Sequence, residues 1–228
     1  MEPIYINRNL MINDATDVQL IGFCDGSQSA YGCALYVRAC YGEQIHVNLL
    51  CAESRVAPLR KKLSIPKLEL SGAFLLAQLI TKVKKQIIKI DKIVLFTDSM
   101  VVLAWIQSKR DRFDVFVRNR TKVINELTPP SAWRHVQGVD NAADCLSRGA
   151  CPKQLALNSS WYNGPRFLMD PAFQVENNDP SSISDVEPDL ASMRDVVVEC
   201  HTLDQQIEHP IFEKCSSIKA TTHYCVHF

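Results

Sequence analysis

The run Ile93-Val94-Leu95-Phe96-Thr97-Asp98-Ser99, continued without a break by Met100-Val101-Val102-Leu103-Ala104-Trp105, constrains this chain more than any other stretch. Its first part is short, apolar and rich in β-branched and aromatic residues, so it reads as a buried strand. Its acidic end leads straight into a helix whose first amides Ser99 or Asp98 can cap. In open α/β sheets the carboxyl ends of strands are where ligands bind. Asp98 is therefore either an ordinary helix cap or a site carboxylate, and the rest of the chain has to decide between the two.

The chain has 228 residues, 46% of them hydrophobic, which is enough for one medium domain with a core plus an appendage. It contains no run of about 18 apolar residues and no basic-then-apolar leader, which predicts a soluble protein with no secretion signal of its own and no membrane partner. Nine cysteines, none in a CxxC pair, cannot all pair within one chain and read as reduced, small apolar residues. The formal net charge of zero hides a division. Residues 1–169 hold 22 Lys and Arg against 14 Asp and Glu, a net of +8, whereas residues 170–228 hold 3 against 11, a net of −8. A basic body suits a polyanion.

Taken in order, residues 1–18 predict a lead-in arm, with a strand or arm around Ile4 to Asn9. Val18 to Cys24 predicts a strand ending at the turn sequence Asp25-Gly26-Ser27. Tyr31 to Cys40 and Gln44 to Cys51 predict two more strands, joined by a hairpin turn at Tyr41-Gly42-Glu43. Three strands linked by short turns make an antiparallel meander. Pro66 suits a first helical position. From Leu68 to about Ile88, Leu68, Leu75, Leu76, Leu79, Ile80, Val83 and Ile87 fall at helical spacing, with Glu69 in the first turn, where a negative charge is favourable in any case.

After the Asp98 strand and its helix, Asp114 to Leu127 predicts an amphipathic helix stopped by Pro129-Pro130, and Ser131 to Gln137 a last short strand. Asp140 or Asn141 can cap a final short helix bearing Asp144. The pattern weakens beyond Cys151. The organisation expected is a lead-in arm over 1–18, a folded domain over 19–150, an extension over 151–169, an acidic flexible linker over 170–202, and the start of a further element over 203–228.

The element order predicts an α/β fold with a mixed five-stranded sheet, three antiparallel strands and then two parallel ones, flanked by helices. In that sheet the first and fourth strands are neighbours, which brings Asp25 beside Asp98, and the helices can bring Glu69 and Asp144 over them. Four clustered carboxylates repel one another unless cations neutralise them. Oxygen donors with no accompanying Cys/His set point to Mg²⁺ or Mn²⁺ rather than zinc. Two such ions about 4 Å apart can activate a water and stabilise the leaving oxygen of a phosphodiester.

The sequence resembles the ribonuclease H region of BEL/Pao-type retrotransposon polyproteins, the Pao retrotransposon peptidase family. The resemblance is carried by Phe23-Cys24-Asp25-Gly26-Ser27, Arg55-Val56-Ala57-Pro58-Leu59, Ile65-Pro66-Lys67-Leu68-Glu69-Leu70, Phe96-Thr97-Asp98-Ser99, Phe116-Val117-Arg118-Asn119-Arg120, Trp133-Arg134-His135-Val136 and Asp140 to Gly149. Trp161-Tyr162-Asn163-Gly164-Pro165 looks like the Trp-rich Gly-Pro signature that follows the nuclease in that family. The resemblance covers residues 4–168, and 210–228 look like the start of a connection towards an integrase.

The resemblance implies a ribonuclease H-like fold and cleavage of the RNA strand of an RNA:DNA hybrid during reverse transcription. Asp25, Glu69, Asp98 and Asp144 match the family's catalytic metal ligands, holding two Mg²⁺ or Mn²⁺ ions. The implied partners are the hybrid and the reverse transcriptase and integrase parts of a parent polyprotein, in the cytoplasm and, during integration, the nucleus. Cellular relatives carry a His in the loop before the last acid, but residues 138–143 contain none, and His135 on the preceding strand reads as structural. Arg60, Lys61, Lys62, Arg118 and Arg120 are the candidate phosphate contacts.

Three other readings compete. An aspartic protease needs Asp-Thr/Ser-Gly, whereas Asp25 is followed by Gly26-Ser27 and Asp98 by Ser99-Met100. His223, Cys225 and His227 alternate as strand-borne zinc ligands could, but no second compact pair accompanies them. The serious rival is a non-catalytic nucleic-acid-binding or decayed retrotransposon remnant that keeps the fold.

Overall fold

The computed structural model describes residues 15–59, 62–85, 90–108, 113–173 and 224–225. The antiparallel meander consists of β1 (Asp17–Gly26), β2 (Ala30–Tyr41) and β3 (Gln44–Val56). After it come α1 (Ile65–Lys84), β4 (Lys92–Thr97), α2 (Met100–Gln107), α3 (Val115–Leu127), β5 (Trp133–His135), α4 (Asp144–Arg148), α5 (Pro152–Leu157) and α6 (Ser159–Asn163). The sheet order is β5-β4-β1-β2-β3, with a two-residue strand β6 (Tyr224–Cys225) outside β3. β1 pairs antiparallel with β2 and parallel with β4, and β4 pairs parallel with β5. This is the mixed five-stranded sheet that the element order predicts.

β1 lies at the centre and is buried on both faces. Val18, Leu20 and Cys24 face one apolar cluster, which the helices α1, α2 and α3 cover, while Ile21 and Phe23 face a second. This alternation follows from the two-residue period of a strand. The second face is closed by the segment after α4. Trp161 and Leu168 are buried there, Phe167 meets the rings of Phe23 and Phe96, and the Tyr36 hydroxyl donates to the Trp161 carbonyl at 2.8 Å. Arg38 is 2% exposed and donates from Nε to the Leu168 carbonyl at 2.7 Å and from Nη2 to the Asp170 carbonyl at 3.1 Å. Helices of five and six residues span less than two turns, too short to display a period, which is why the sequence pattern fades there.

Several expected boundaries move. α1 begins at Ile65, so Pro66 is its second residue and Glu69 lies in the second turn, not the first. β3 continues to Val56 instead of stopping at Cys51, and β5 shrinks to Trp133–His135 because Pro130–Ala132 forms a 3-10 turn. α4 is not the final helix, since α5 and α6 follow. The strand or arm expected around Ile4 to Asn9 and the acidic linker proper lie outside the described residues, as does most of 203–228. Among the described residues no helix is long and apolar enough to cross a membrane.

The caps are those the chemistry favours. Ser99 accepts from the Val102 amide at the start of α2, and Asp114 accepts from the Val117 amide at the start of α3. A Lys67–Asp114 ion pair at 2.8 Å ties α1 to the cap of α3.

α1 sits unusually close to the end of β1. A Cβ built on Gly72 would lie 2.6 Å from the Asp25 carbonyl oxygen, and one built on Gly26 would lie 2.4 Å from the Glu69 amide nitrogen. Backbone meets backbone at both points, so neither neighbour can swing aside. Ala is the better helix former by about 1 kcal/mol, but overpacking a closed contact costs roughly 1–3 kcal/mol. Gly72→Ala is therefore expected to lower the urea midpoint. A midpoint raised by the gain in helix propensity would show that this contact is not closed in solution.

Candidate active site at the carboxyl edge of the sheet

The parallel register pairs Cys24 with Thr97, so the next residues on the two strands, Asp25 and Asp98, emerge together at the same edge. Asp25 is the last residue but one of β1, whereas Asp98 stands one residue beyond β4. The close seat of α1 on Gly26 brings the Glu69 backbone against the end of β1. α4 starts at Asp144 and packs over β2, where a Cβ on Gly32 would lie 2.7 Å from Leu146 Cβ.

Electrostatics reports the same gathering. The Glu69 carboxyl is pushed above its ordinary pKa by burial and by the charges of Asp98 and Asp25, an effect that a hydrogen bond from Ser99 partly offsets. The Asp98 carboxyl is likewise raised, first by burial and then by Asp25, with a smaller contribution from Asp144 and an opposing hydrogen bond from Asn141. Glu69 and Asp98 are thus both raised beside neighbouring acids, as converging carboxylates should be.

Two residues not singled out as site residues from the sequence organise the edge. Asn141, expected as a helix cap, donates from Nδ2 to the Cys24 carbonyl at 3.0 Å and accepts the Ala143 amide at 3.1 Å. This ties the loop before α4 to the strand that carries Asp25, and the cap position of α4 falls to Ala143 with no side-chain bond. Ser147 donates to Asp25 Oδ2. Its signal in the sequence was spacing, since three residues after Asp144 is one turn along the same short helix. His135 is exposed, with Nε2 3.2 Å from the Asp98 backbone oxygen, a contact to main chain and not to a carboxylate.

The basic candidates divide. Lys62 and Arg118 are exposed, while Arg120 lies flat on the Phe116 ring at 3.5 Å and near the Phe74 ring at 5.7 Å. Stacking of that kind makes Arg120 a packing element between α1 and α3. Arg60 and Lys61 lie outside the described residues. Cys24, Cys33, Cys40, Cys145 and Cys151 take part in no disulfide, and burial raises the Cys24 thiol, next to Asp25, well above its ordinary pKa.

The fit of this edge to divalent cations rests on its donors. All four acids supply hard oxygens, the Glu69 and Asp98 carboxyls are raised by burial and by neighbouring acids, and Asp98 Oδ1 is buried with no hydrogen-bond partner. Among the described residues, however, no group of three or more His, Cys, Asp and Glu side chains is arranged to hold an ion. Asp25 is bonded to Ser147, and Asp144 Oδ1 is paired with Arg148 at 2.5 Å. The donor chemistry fits a cation, and the side chains as they stand satisfy part of their charge locally.

A raised carboxyl pKa means that the folded state binds the proton more readily than the unfolded chain. The associated stability is present at acidic pH and is lost as pH rises through the raised values. Asp98→Asn removes one of the repelling charges. It is expected to raise the melting temperature of the metal-free protein at neutral pH, with the gap closing as pH falls into the ordinary carboxylate range. Equal melting temperatures at neutral pH would mean that the acids do not strain one another.

Solved structures similar to the chain include the N-terminal RNase H domain of Rv2228c from Mycobacterium tuberculosis, at 13% identity over 58% of this chain and 92% of that one, with a TM-score of 0.43. RNase H1 from the halophilic archaeon Halobacterium salinarum is 16% identical over 58% of this chain and 95% of that one, with a TM-score of 0.39. LC11-RNase H1, solved in complex with an RNA/DNA hybrid, is 13% identical over 61% and 99%, with a TM-score of 0.40. No curated protein matches the chain. Over residues 1–99, which contain Asp25, Glu69 and Asp98, the chain matches the family model of the Pao retrotransposon-like RNaseH-like domain.

Proposed function

We propose that this chain is a ribonuclease H-type endonuclease that hydrolyses the RNA strand of RNA:DNA hybrids, acting as part of a retrotransposon polyprotein beside reverse transcriptase and integrase. The observation that carries the reading is the parallel register that delivers Asp25 and Asp98 to one carboxyl edge of the sheet, where the Glu69 and Asp98 carboxyls are raised first by burial and then by neighbouring acids. The family match over residues 1–99 supports the same class of chemistry.

Asp25, Glu69, Asp98 and Asp144 would hold two Mg²⁺ or Mn²⁺ ions, which supply Lewis-acid activation of water and charge stabilisation at the leaving oxygen of an in-line displacement. Asp98 would offer its unpartnered Oδ1, and Glu69 a carboxyl raised by burial and by the charges of Asp98 and Asp25. Asp144 has to exchange its pairing with Arg148 for the cation. Lys62 and Arg118 would meet phosphates, which makes binding tolerant of sequence and dependent on salt. The acidic tail over 170–228 and the action of the protein in cytoplasm and nucleus belong to the same proposal.

A second reading, a non-catalytic hybrid-binding or decayed protein that keeps the fold, draws on one observation. Among the described residues no group of three such side chains is set to hold an ion.

The purified protein, incubated with a labelled RNA:DNA hybrid and Mg²⁺ or Mn²⁺, is expected to cut the RNA strand, and Asp98→Asn is expected to abolish cutting. Intact hybrid with both proteins, each shown to be folded, would favour the second reading. Arg118→Ala is expected to weaken hybrid binding similarly for unrelated sequences and to flatten its salt dependence by about one unit of slope. A sequence-selective loss would contradict a backbone contact.

A further inference from the structure

We propose that Ser147 is a positioning residue whose buried hydroxyl fixes the carboxylate of Asp25 and couples the strand that bears Asp25 to the helix that bears Asp144. The inference rests on the metal-site reading above and assigns a specific residue the task of assembling that site.

Ser147 is 1% exposed and Asp25 5%. The Ser147 hydroxyl donates to Asp25 Oδ2 and lies 3.1 Å from the Asp144 carbonyl oxygen. Its own backbone carbonyl accepts from the Ser27 hydroxyl at 2.6 Å, and Ser27 Oγ in turn accepts the Ser29 amide at 3.1 Å within the turn that joins β1 to β2. One residue is thus bound to β1 through its side chain and to the β1–β2 turn through its main chain.

The bracket matters because α4 cannot hold itself. It is five residues long, its cap position carries no side-chain bond, and a helix that short is unstable alone. Asp144 at its first residue inherits its place from whatever pins α4. Asn141 pins the loop before the helix, and Ser147 pins the helix itself.

For Asp25 the consequence is rotational. A carboxylate with one oxygen held by a buried hydroxyl cannot spin about its last bond, so the other oxygen keeps a fixed direction. Second partners of this kind typically govern metal affinity by about 10- to 100-fold.

Calorimetric titration of the full chain with Mn²⁺ tests the role, beside the melting temperature without metal. Ser147→Ala is expected to weaken Mn²⁺ binding by about 10-fold or more at a temperature where circular dichroism shows it folded, and Ser147→Thr, which keeps the hydroxyl, to restore most of the loss. A purely structural serine would lower the melting temperature and leave the affinity of the folded protein alone, and that result overturns the proposal. If Ser147→Ala does not fold, Ser147→Cys, a weaker donor of similar size, takes its place, and wild-type affinity in that variant overturns the proposal equally. Wild-type protein that binds no Mn²⁺, or binds it no better than Asp98→Asn does, removes the metal site and the role of Ser147 together. Wild-type binding that Asp98→Asn abolishes and Ser147→Ala leaves unchanged removes the role of Ser147 alone.

Discussion

The parallel pairing of β1 with β4 is the constraint on which the rest of the molecule depends. Antiparallel neighbours present opposite ends at one edge, so only a parallel pair can deliver two strand-terminal carboxylates, Asp25 and Asp98, to the same place. A parallel pair also demands a crossover, and α1 makes it by carrying the chain from β3 at the far side of the meander back to β4. The connection that makes the pairing possible is itself the carrier of Glu69. Topology and chemistry are therefore not separable here, because the helix required to return the chain to the sheet arrives over the edge with the third acid.

Gathering like charges works against folding, and the surroundings moderate it with uncharged donors. Ser99, Asn141 and Ser147 each contribute to a different carboxylate, and Arg148 is the one cation seen paired with an acid of this edge among the described residues. Hydroxyls and amides orient a carboxylate without cancelling its charge, so the edge keeps a negative potential. Buried positive partners would have quenched it.

The sequence made the sheet legible because its strands are long apolar runs and its turns are chemically plain, as at Gly42 with its positive φ of 60°. Asp25, Asp98 and Asp144 were legible because each stands at or beside the end of an element whose type could be read, and Glu69 because it lies near the start of a strongly periodic helix. What remained hidden was of three kinds. Contacts between residues more than a hundred positions apart, such as Ser147 with Asp25 and Asn141 with Cys24, leave no periodic trace. Short helices packed by their tertiary surroundings leave none either, so the segment after Cys151 read as weak pattern although Trp161 and Leu168 are fully part of the core. Arg120 was a third case, since its charge suggested a phosphate and its stacking on Phe116 depends on a ring one helical turn away.

The buried guanidinium of Arg38 sets where the folding unit ends. Its Nε and Nη2 protons go to main-chain carbonyls of Leu168 and Asp170, and its face lies 5.4 Å from the centre of the Phe173 ring. A chain cut after residue 150 would strip those acceptors from a charge seated in the sheet and bare the apolar face beneath Trp161. The smallest piece that keeps both faces of the sheet covered and Arg38 solvated by protein runs to Phe173, about thirty residues past the last of the four acids. The half that carries the four acids and the appendage are in that sense one object.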